Sequence, residues 1–284
     1  MNDLNPDLKR LLDAADSAVT GTGPVSAAGR LRVGVDLGTA FTVLFVVDDS
    51  GLPVAGAYRF ADVVRDGVVL DYVGAVTLVR ELKAEVEDRL GRDLATAAVT
   101  IPPGVATSEV RSHGYVVEAA GLDCTAVVDE PTAANSVLGV SEGAVVDVGG
   151  GTTGIAILRD GRVVATADEP TGGTHLSLVV AGAHGIPFEE AELMKRDVTN
   201  HGRLMPVVRP VLEKIASIVA RQIEGHNVER IYLVGGTSAF TGIADVVAEV
   251  TGVPTVVPGN PLFVTPLGVA LHDTADADTR WLGG

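Results

Sequence analysis

Two short stretches end a β-branched run with an aspartate and follow it with a glycine turn and threonine. One is RVGVDLGT, with Asp36, Gly38 and Thr39; the other is AVVDVGGGTT, with Asp147, Gly149, Gly150, Gly151, Thr152 and Thr153. Val33, Val35, Val145 and Val146 are core-type residues, so each aspartate falls where a sheet meets a cleft. A carboxylate placed there needs a partner, or its charge is costly. Two such carboxylates facing each other would repel, and a cation between them removes the repulsion. Mg²⁺ suits, because it keeps its waters and takes few carboxylates together with phosphates. The glycines let the backbone approach a phosphate chain with no Cβ in the way, and the threonines add hydroxyl donors. Either stretch alone reads equally well as an ordinary hairpin turn. Their occurrence at matching points of a repeated unit favours the ligand reading.

Two further elements belong with them. In LVGGTSAFTG a strand runs into Gly235, Gly236 and Thr237 before a helix. A helix start offers N–H groups and partial positive charge to an anion, although by itself this is a plain strand-to-helix turn. In EPTAAN, Glu130 stands between a strand end and a proline-started helix. It could orient a water for attack on a terminal phosphate, or be no more than an acidic residue favoured by the helix dipole.

The elements that must position these groups alternate between strand and helix patterns. LRVGVDLG and FTVLFVVDD read as strands joined by a tight turn. A helix with Val79, Leu82, Val86 and Leu90 on one face stops at Gly91. ATAAVTIPP is a strand, TSEVRSHGYVVEAAG a helix capped by Thr107 or Ser108, CTAVVDEP a strand and PTAANSVLG a helix with Pro131 at its start. The pattern then restarts with GAVVDVGGGTTGIAILRDGRVVATA. A helix start in EEAELMKRD follows, then a helix in RPVLEKIASIVARQIEG, the strand VERIYLVGG, the helix FTGIADVVAEVTG and a short helix in FVTPLGVALHD. Asp36 corresponds to Asp147 and Gly38 to Gly149, which marks a duplicated supersecondary unit. Ahead of it, Leu8, Leu11, Leu12, Ala15 and Val19 give residues 4–19 an amphipathic helical pattern, followed by the linker TGTGPVSAAG. That helix either docks on the protein's own surface or enters a groove on a partner.

Composition narrows the classes. The chain has 284 residues, 46% hydrophobic and 20% charged, enough for a large core and too apolar for a disordered chain. Its formal net charge of -16 opposes binding to nucleic acid or an anionic membrane surface, though ATP could still bind through local N–H groups and a metal ion. A single cysteine, Cys124, rules out a disulfide within the chain and suits a reducing cytosol; its apolar neighbours mark it as a buried, inert thiol. The acidic N-terminus does not read as a secretory signal, and no apolar run is long enough to predict a membrane span. His175, His184, His201 and His226 lack transition-metal spacing, and no G-x-S-x-G element supports Ser-His-Asp hydrolysis.

In this order the motifs resemble those of the actin-like ATPase superfamily. VGVDLGTAFT resembles its first phosphate loop, EPTAAN its first hinge helix, VVDVGGGTTGIAIL its second phosphate loop, LVGGTSAF its adenosine motif and PLGVAL its second hinge helix. EPTAAN and DVGGGTT are similar to DnaK-type chaperones, and TGGTHLSLVVAGAHGIPFEEAELMKRD to FtsA and MreB. A longer set, including FADVVRDGVVLDYVGAVTLVR, ADEPTGGTHLSL and IVARQIEG, resembles the chaperone-like proteins of bacterial ethanolamine-utilisation operons.

The resemblance implies an α/β actin-like ATPase fold, two duplicated ribonuclease-H-like domains flanking a nucleotide cleft. The expected division is an N-terminal helix and linker over 1–30, a first domain of 31–140 with 261–273, a second of 141–260, and a tail of 274–284. It implies ATP or ADP with Mg²⁺ held through water by Asp36 and Asp147. Gly38, Thr39, Gly149, Gly150, Gly151 and Thr152 would cradle phosphates, with Glu130 and Asp147 as the catalytic groups. Gly235, Gly236 and Thr237 would line the adenosine, and Glu192 and Lys195 would form a polar helix face against the nucleoside. It also implies a cytoplasmic protein linked to a bacterial microcompartment, with an ethanolamine-pathway enzyme such as the ammonia-lyase, or microcompartment proteins, as partner.

Two departures temper the chaperone analogy. DnaK-type chaperones carry a catalytic lysine in the first half, whereas Asp48 to Tyr72 contains none and Lys83 lies on the later helix, which implies slow hydrolysis. No peptide-binding domain is expected after the ATPase body. A small-molecule kinase on the same fold, or an actin-like assembly scaffold with structural nucleotide, remain alternative readings.

Overall fold

The computed structural model describes residues 6–65 and 67–274. Leu4 and Asn5 of the expected first helix, and all of the expected tail except Thr274, lie outside the described residues. The chain divides into two compact units: Val140–Leu262, and the chain before and after it, up to Gly139 and from Phe263.

The first unit opens with helix α1 (Pro6–Thr20) and strands β1 (Arg32–Leu37), β2 (Phe41–Val47) and β3 (Pro53–Phe60). A small hairpin of β4 (Val64–Arg65) and β5 (Val68–Val69) leads to α2 (Tyr72–Leu90) and β6 (Thr96–Ile101). Then come α3 (Thr107–Ala119), β7 (Asp123–Asp129) and α4 (Glu130–Leu138). The second unit holds β8 (Gly143–Val148), β9 (Thr153–Arg159), β10 (Arg162–Glu169), α5 (Gly173–His184), α6 (Phe188–Arg196), α7 (His201–Ile223), β11 (Ile231–Val234), α8 (Ile243–Thr251) and β12 (Thr255–Val256). The chain ends its described part in the first unit with α9 (Val264–Ala270).

The duplication read from the motifs is complete at the level of topology. One sheet runs β3-β2-β1-β6-β7 and the other β10-β9-β8-β11-β12. Each opens with antiparallel hairpin pairs and closes with parallel ones. Asp36 pairs with Val43 and Leu37 with Thr42; at the equivalent points Asp147 pairs with Gly154 and Val148 with Thr153. The central strands are near-continuous apolar runs because both faces are covered: every residue of β8 is buried.

In the first unit, Val76, Val79, Leu82 and Val86 of α2 and Val116 and Val117 of α3 pack on Val33, Val35, Leu44 and Val46. On the opposite face α9 passes so close to β1 that a Cβ on Gly34 would overlap the Pro266 carbonyl, and α9 meets α4 where a Cβ on Gly268 would overlap the Ala133 carbonyl. The first helix docks on its own unit: Leu8, Leu12, Ala15 and Ala18 are buried, and α1 packs on β3. The Arg89 guanidinium fastens it, donating to Ala18 O at 2.8 Å in the last turn of α1 and to Gly56 O of β3 at 3.0 Å. A cation there also complements the negative end of the α1 dipole.

The cap of α3 differs from the sequence expectation. Ala106, in extended conformation and without a side-chain hydrogen bond, holds the N-cap position ahead of Thr107 and Ser108. The long helix also begins earlier than RPVLEK suggests. It starts at His201 and continues through Pro206 and Pro210, because Leu204 and Val208 extend the buried face of Leu212, Ile215 and Val219.

Candidate functional site

The candidate residues fall into two groups, one in each unit. In the first, Asp36, the last residue but one of β1, is half-buried and accepts a hydrogen bond from Thr100 Oγ1 of β6 at 2.6 Å. The turn after it closes through the Gly38 N–H, which donates to Phe41 O at 3.0 Å and leaves Thr39 at the apex. Glu130 is the first residue of α4, half-buried. The helix start is fixed by Asp129, whose side chain accepts from the Thr132 N–H at 3.0 Å. This local capping explains why the acidic pair survives at a strand end: Asp129 serves the helix, and Glu130 sits beyond it in the first turn.

The second group is larger and more tightly bonded. Asp147 occupies the same ladder position in β8 and is 5% exposed. The Gly149 N–H donates to Thr152 O at 3.0 Å, repeating the bond made by Gly38. Other chain segments hold this loop from below. The carbonyl of Gly149 accepts from Thr237 Oγ1 at 2.8 Å and from the Gly173 N–H at 2.9 Å, and the carbonyl of Gly150 accepts from the Thr174 N–H at 2.8 Å. Both carbonyls are therefore engaged by the chain itself, which ties the loop to the start of α5 and to Thr237. Glycine is required where segments cross: Gly235 has φ +85°, and a Cβ on it would overlap Asp147 Oδ1, while a Cβ on Gly173 would overlap Thr237 Oγ1.

Beneath this loop lies the Glu192–Lys195 pair of α6. Lys195 Nζ donates to Glu192 Oε2 at 2.6 Å and to Gly173 O at 3.1 Å, and Ser177 Oγ donates to the same carboxylate oxygen at 2.5 Å. Burial holds the Lys195 ammonium below the usual lysine range, against the opposing pull of Glu192. The C-terminal end of α6 is anchored by His201, whose ring nitrogens lie 2.9 Å from Lys195 O and 3.0 Å from Thr241 Oγ1 and which stacks on Phe240.

Gly149, Gly150, Thr152, Glu192, Lys195 and Thr237 are thus joined by hydrogen bonds through Gly173 and Thr174, with Asp147, Gly151, Gly235 and Gly236 on the adjoining strand ends and turns; Asp36, Gly38, Thr39 and Glu130 lie in the first unit. Sequence reasoning missed Thr100, Ser177 and the Gly172–Thr174 turn that starts α5. The two glycines of TGGTH directly after a strand were the available signal for that turn. Cys124 is half-buried, and burial pushes its thiol up to about 12. Among the described residues no helix is long and apolar enough to cross a membrane.

Two five-stranded sheets of one topology, each with an aspartate and a glycine turn at the end of its central strand, define an actin-like ATPase fold. Comparison with known proteins agrees. A family model for the cell division protein FtsA matches residues 144–274, and one for Hsp70 protein matches residues 71–184. The ethanolamine utilization protein EutJ of Salmonella typhimurium is 44% identical over 270 residues, covering 95% of this chain and 94% of that one. The crystal structure of EutJ from Carboxydothermus hydrogenoformans superposes with a TM-score of 0.89 at 49% identity, covering 94% of this chain and 98% of that one. The fold alone is shared with MreB5 of Spiroplasma citri bound to AMPPNP, at 17% identity and a TM-score of 0.68 over 86% of this chain and 96% of that one. The chain belongs to the EutJ family of ethanolamine utilization proteins.

Proposed function

We propose that this protein is an ATP-binding, slowly hydrolysing, chaperone-like component of bacterial ethanolamine utilisation. It would act in the cytoplasm on an enzyme of the pathway, such as the ammonia-lyase, or on a microcompartment protein. The observation that carries the reading is the pre-set second loop: Gly149 and Gly150 are locked from below by Thr237, Gly173 and Thr174, with the Glu192–Lys195 pair beneath. A backbone so fixed costs little to order when an anion binds, and glycine leaves its N–H groups approachable. Solved relatives of the fold support the ligand class, since MreB5 of Spiroplasma citri has been seen with AMPPNP and with ADP.

In this reading Gly38, Thr39, Gly149, Gly150, Gly151 and Thr152 hold the phosphates. Gly235, Gly236 and Thr237, with Glu192 and Lys195, receive the nucleoside. Asp36 and Asp147 are a hard-oxygen donor set of the kind that holds Mg²⁺ through water, and the ion would neutralise phosphate charge during cleavage. Glu130 orients the attacking water and takes up its proton. The ATP and ADP states differ by the γ-phosphate, and that difference is what a partner protein would sense.

Calorimetric titration with Mg·ATP and Mg·ADP, with phosphate release followed on the same sample, tests this. Binding with slow release is the expected result. Binding without release would favour an assembly scaffold with structural nucleotide, and absence of binding would overturn the proposal.

A further inference from the structure

Asp36 and Asp147 hold the same place in their sheets, but the residue beside each on the next parallel strand differs. β1 pairs with β6 in the register Gly34↔Ala98 and Val35↔Val99, so the next rung sets Asp36 beside Thr100. β8 pairs with β11, and there the rung of Asp147 holds Val234. Threonine and valine are close in size, and only threonine carries a proton that a carboxylate can accept. Between the two units, then, one hydroxyl has been exchanged for one methyl group beside an otherwise equivalent aspartate.

Alternation along the strands puts Asp36 on the face of Gly34 and Thr100 on the face of Ala98. That face is covered by α9 and α4: Gly34 lies against Pro266, and Ala98 packs with Ala133 and Val269. Thr100 is only 1% exposed, and a hydroxyl so buried needs an acceptor. Its Oγ1 donates to Asp36 Oδ1 at 2.6 Å, a length typical of a hydroxyl on an ionised carboxylate and of a bond stronger than a neutral pair. A β-branched side chain has few rotamers, so the donor is itself held in place. The kind of donor matters as well. An arginine or lysine at this rung would orient Asp36 and also neutralise it. A threonine orients the carboxylate and leaves its full charge for a cation. The second unit confines its aspartate differently: Gly235, directly after Val234, has φ +85°, and a Cβ on it would overlap Asp147 Oδ1.

We propose that Thr100 is a positioning residue: its hydroxyl sets the Asp36 carboxylate toward the hydrated Mg²⁺ of a bound nucleotide, a role that Val234 cannot fill for Asp147. The inference rests on the nucleotide reading above and adds to it a residue that acts through Asp36 without touching ligand. Groups that hold a metal-binding carboxylate from behind typically contribute about tenfold or more to metal affinity.

Calorimetric titration of the full chain with Mg·ATP is the test, in wild type, Thr100→Val, Thr100→Ser, Asp36→Ala and the double variant Asp36→Ala with Thr100→Val. Thr100→Val should bind Mg·ATP about tenfold more weakly than wild type, and Thr100→Ser, which keeps the donor, should stay close to it. In the Asp36→Ala background the same valine change should add little, because the group it acts through is gone. The loss should also disappear for ATP in excess EDTA. If Thr100→Val matches wild type, costs as much without Asp36 or without Mg²⁺, or is not rescued by serine, the positioning role is overturned while the nucleotide site stands. A wild type that binds no Mg·ATP removes the nucleotide site itself, and this role with it. Should Thr100→Val fail to fold by circular dichroism, Thr100→Ala takes its place under the same criteria.

Discussion

Lys195 Nζ stands 2.6 Å from Glu192 Oε2 three residues earlier on α6, with the two side chains only 11% and 7% exposed. Breaking a buried pair from one side strands a charge, which is worse than removing both partners. Lys195→Met should therefore cost about 3 kcal/mol of folding stability, and the double variant Lys195→Met with Glu192→Leu should cost less than the sum of the two single changes. Urea denaturation of the four proteins of the cycle measures this; strict additivity would mean that the pair is not coupled.

Asp273 is fully buried at the end of the described chain and accepts three hydrogen bonds, from Val33 N at 2.8 Å, Thr125 Oγ1 at 2.8 Å and Thr96 Oγ1 at 3.0 Å. One carboxylate thus joins β1, β6 and β7 to the segment after α9. Asp273→Ala leaves these donors without their acceptor and should destabilise by about 2–4 kcal/mol, with Asp273→Asn costing less. Chemical denaturation gives the comparison; equal losses in the two variants would refute the hydrogen-bond account.

His113 of α3 is fully buried, its Nδ1 donating to Glu109 O at 2.9 Å and its Nε2 without a hydrogen-bond partner among the described residues. Burial holds its pKa below the ordinary histidine value of 6.5, with the Glu109 carboxylate opposing, and burial does the same to His272. Below that ordinary value the unfolded chain binds protons that the folded one refuses, so stability falls as pH drops through about 6.5 and is whole above it. Thermal midpoints measured from pH 7.5 down to pH 5 should decline, and His113→Leu should flatten part of the slope. Carboxylates such as Asp48, whose pKa lies below its usual 3.8, act only at lower pH. A midpoint constant over that range would reject the effect.

What was legible in the sequence follows from how local its cause is. The hairpins carrying Asp36 and Asp147 were readable because a buried strand and a glycine turn are both written in consecutive residues. Gly91 and Pro131 announced a helix end and a helix start for the same reason. Strand β3 was missed: PVAGAYRF is rich in glycine and alanine and poor in β-branched residues, and it is a strand because β2 and α1 supply its neighbours. The Thr100 bond to Asp36 and the closure of the Gly149 loop by Thr237 join residues far apart in the chain, and no spacing rule reports them. The Glu192–Lys195 pair came from family resemblance, and its burial became visible only once Ser177 and Gly173 were placed around it.

Asp36 and Asp147 hold the same ladder position in their two sheets, and each borders a glycine turn closed by the same N–H to carbonyl bond. If they hold hydrated Mg²⁺ for a bound nucleotide, their negative charge matters and their shape does not. Asp147→Asn is therefore the sharper substitution, since it preserves side-chain volume beside Gly235 while removing the charge. Affinity for Mg·ATP should fall on the order of tenfold or more in Asp147→Asn and in Asp36→Ala, equivalent to about 1.4 kcal/mol or more. The difference from wild type should shrink when the titration is repeated with ATP in excess EDTA, because the carboxylates then have no ion to hold. Calorimetry of the three proteins under both conditions reads both effects. Undiminished Mg·ATP affinity in both variants would remove these aspartates from the site, and an equal loss with and without Mg²⁺ would assign them to the loop's conformation instead of to the ion.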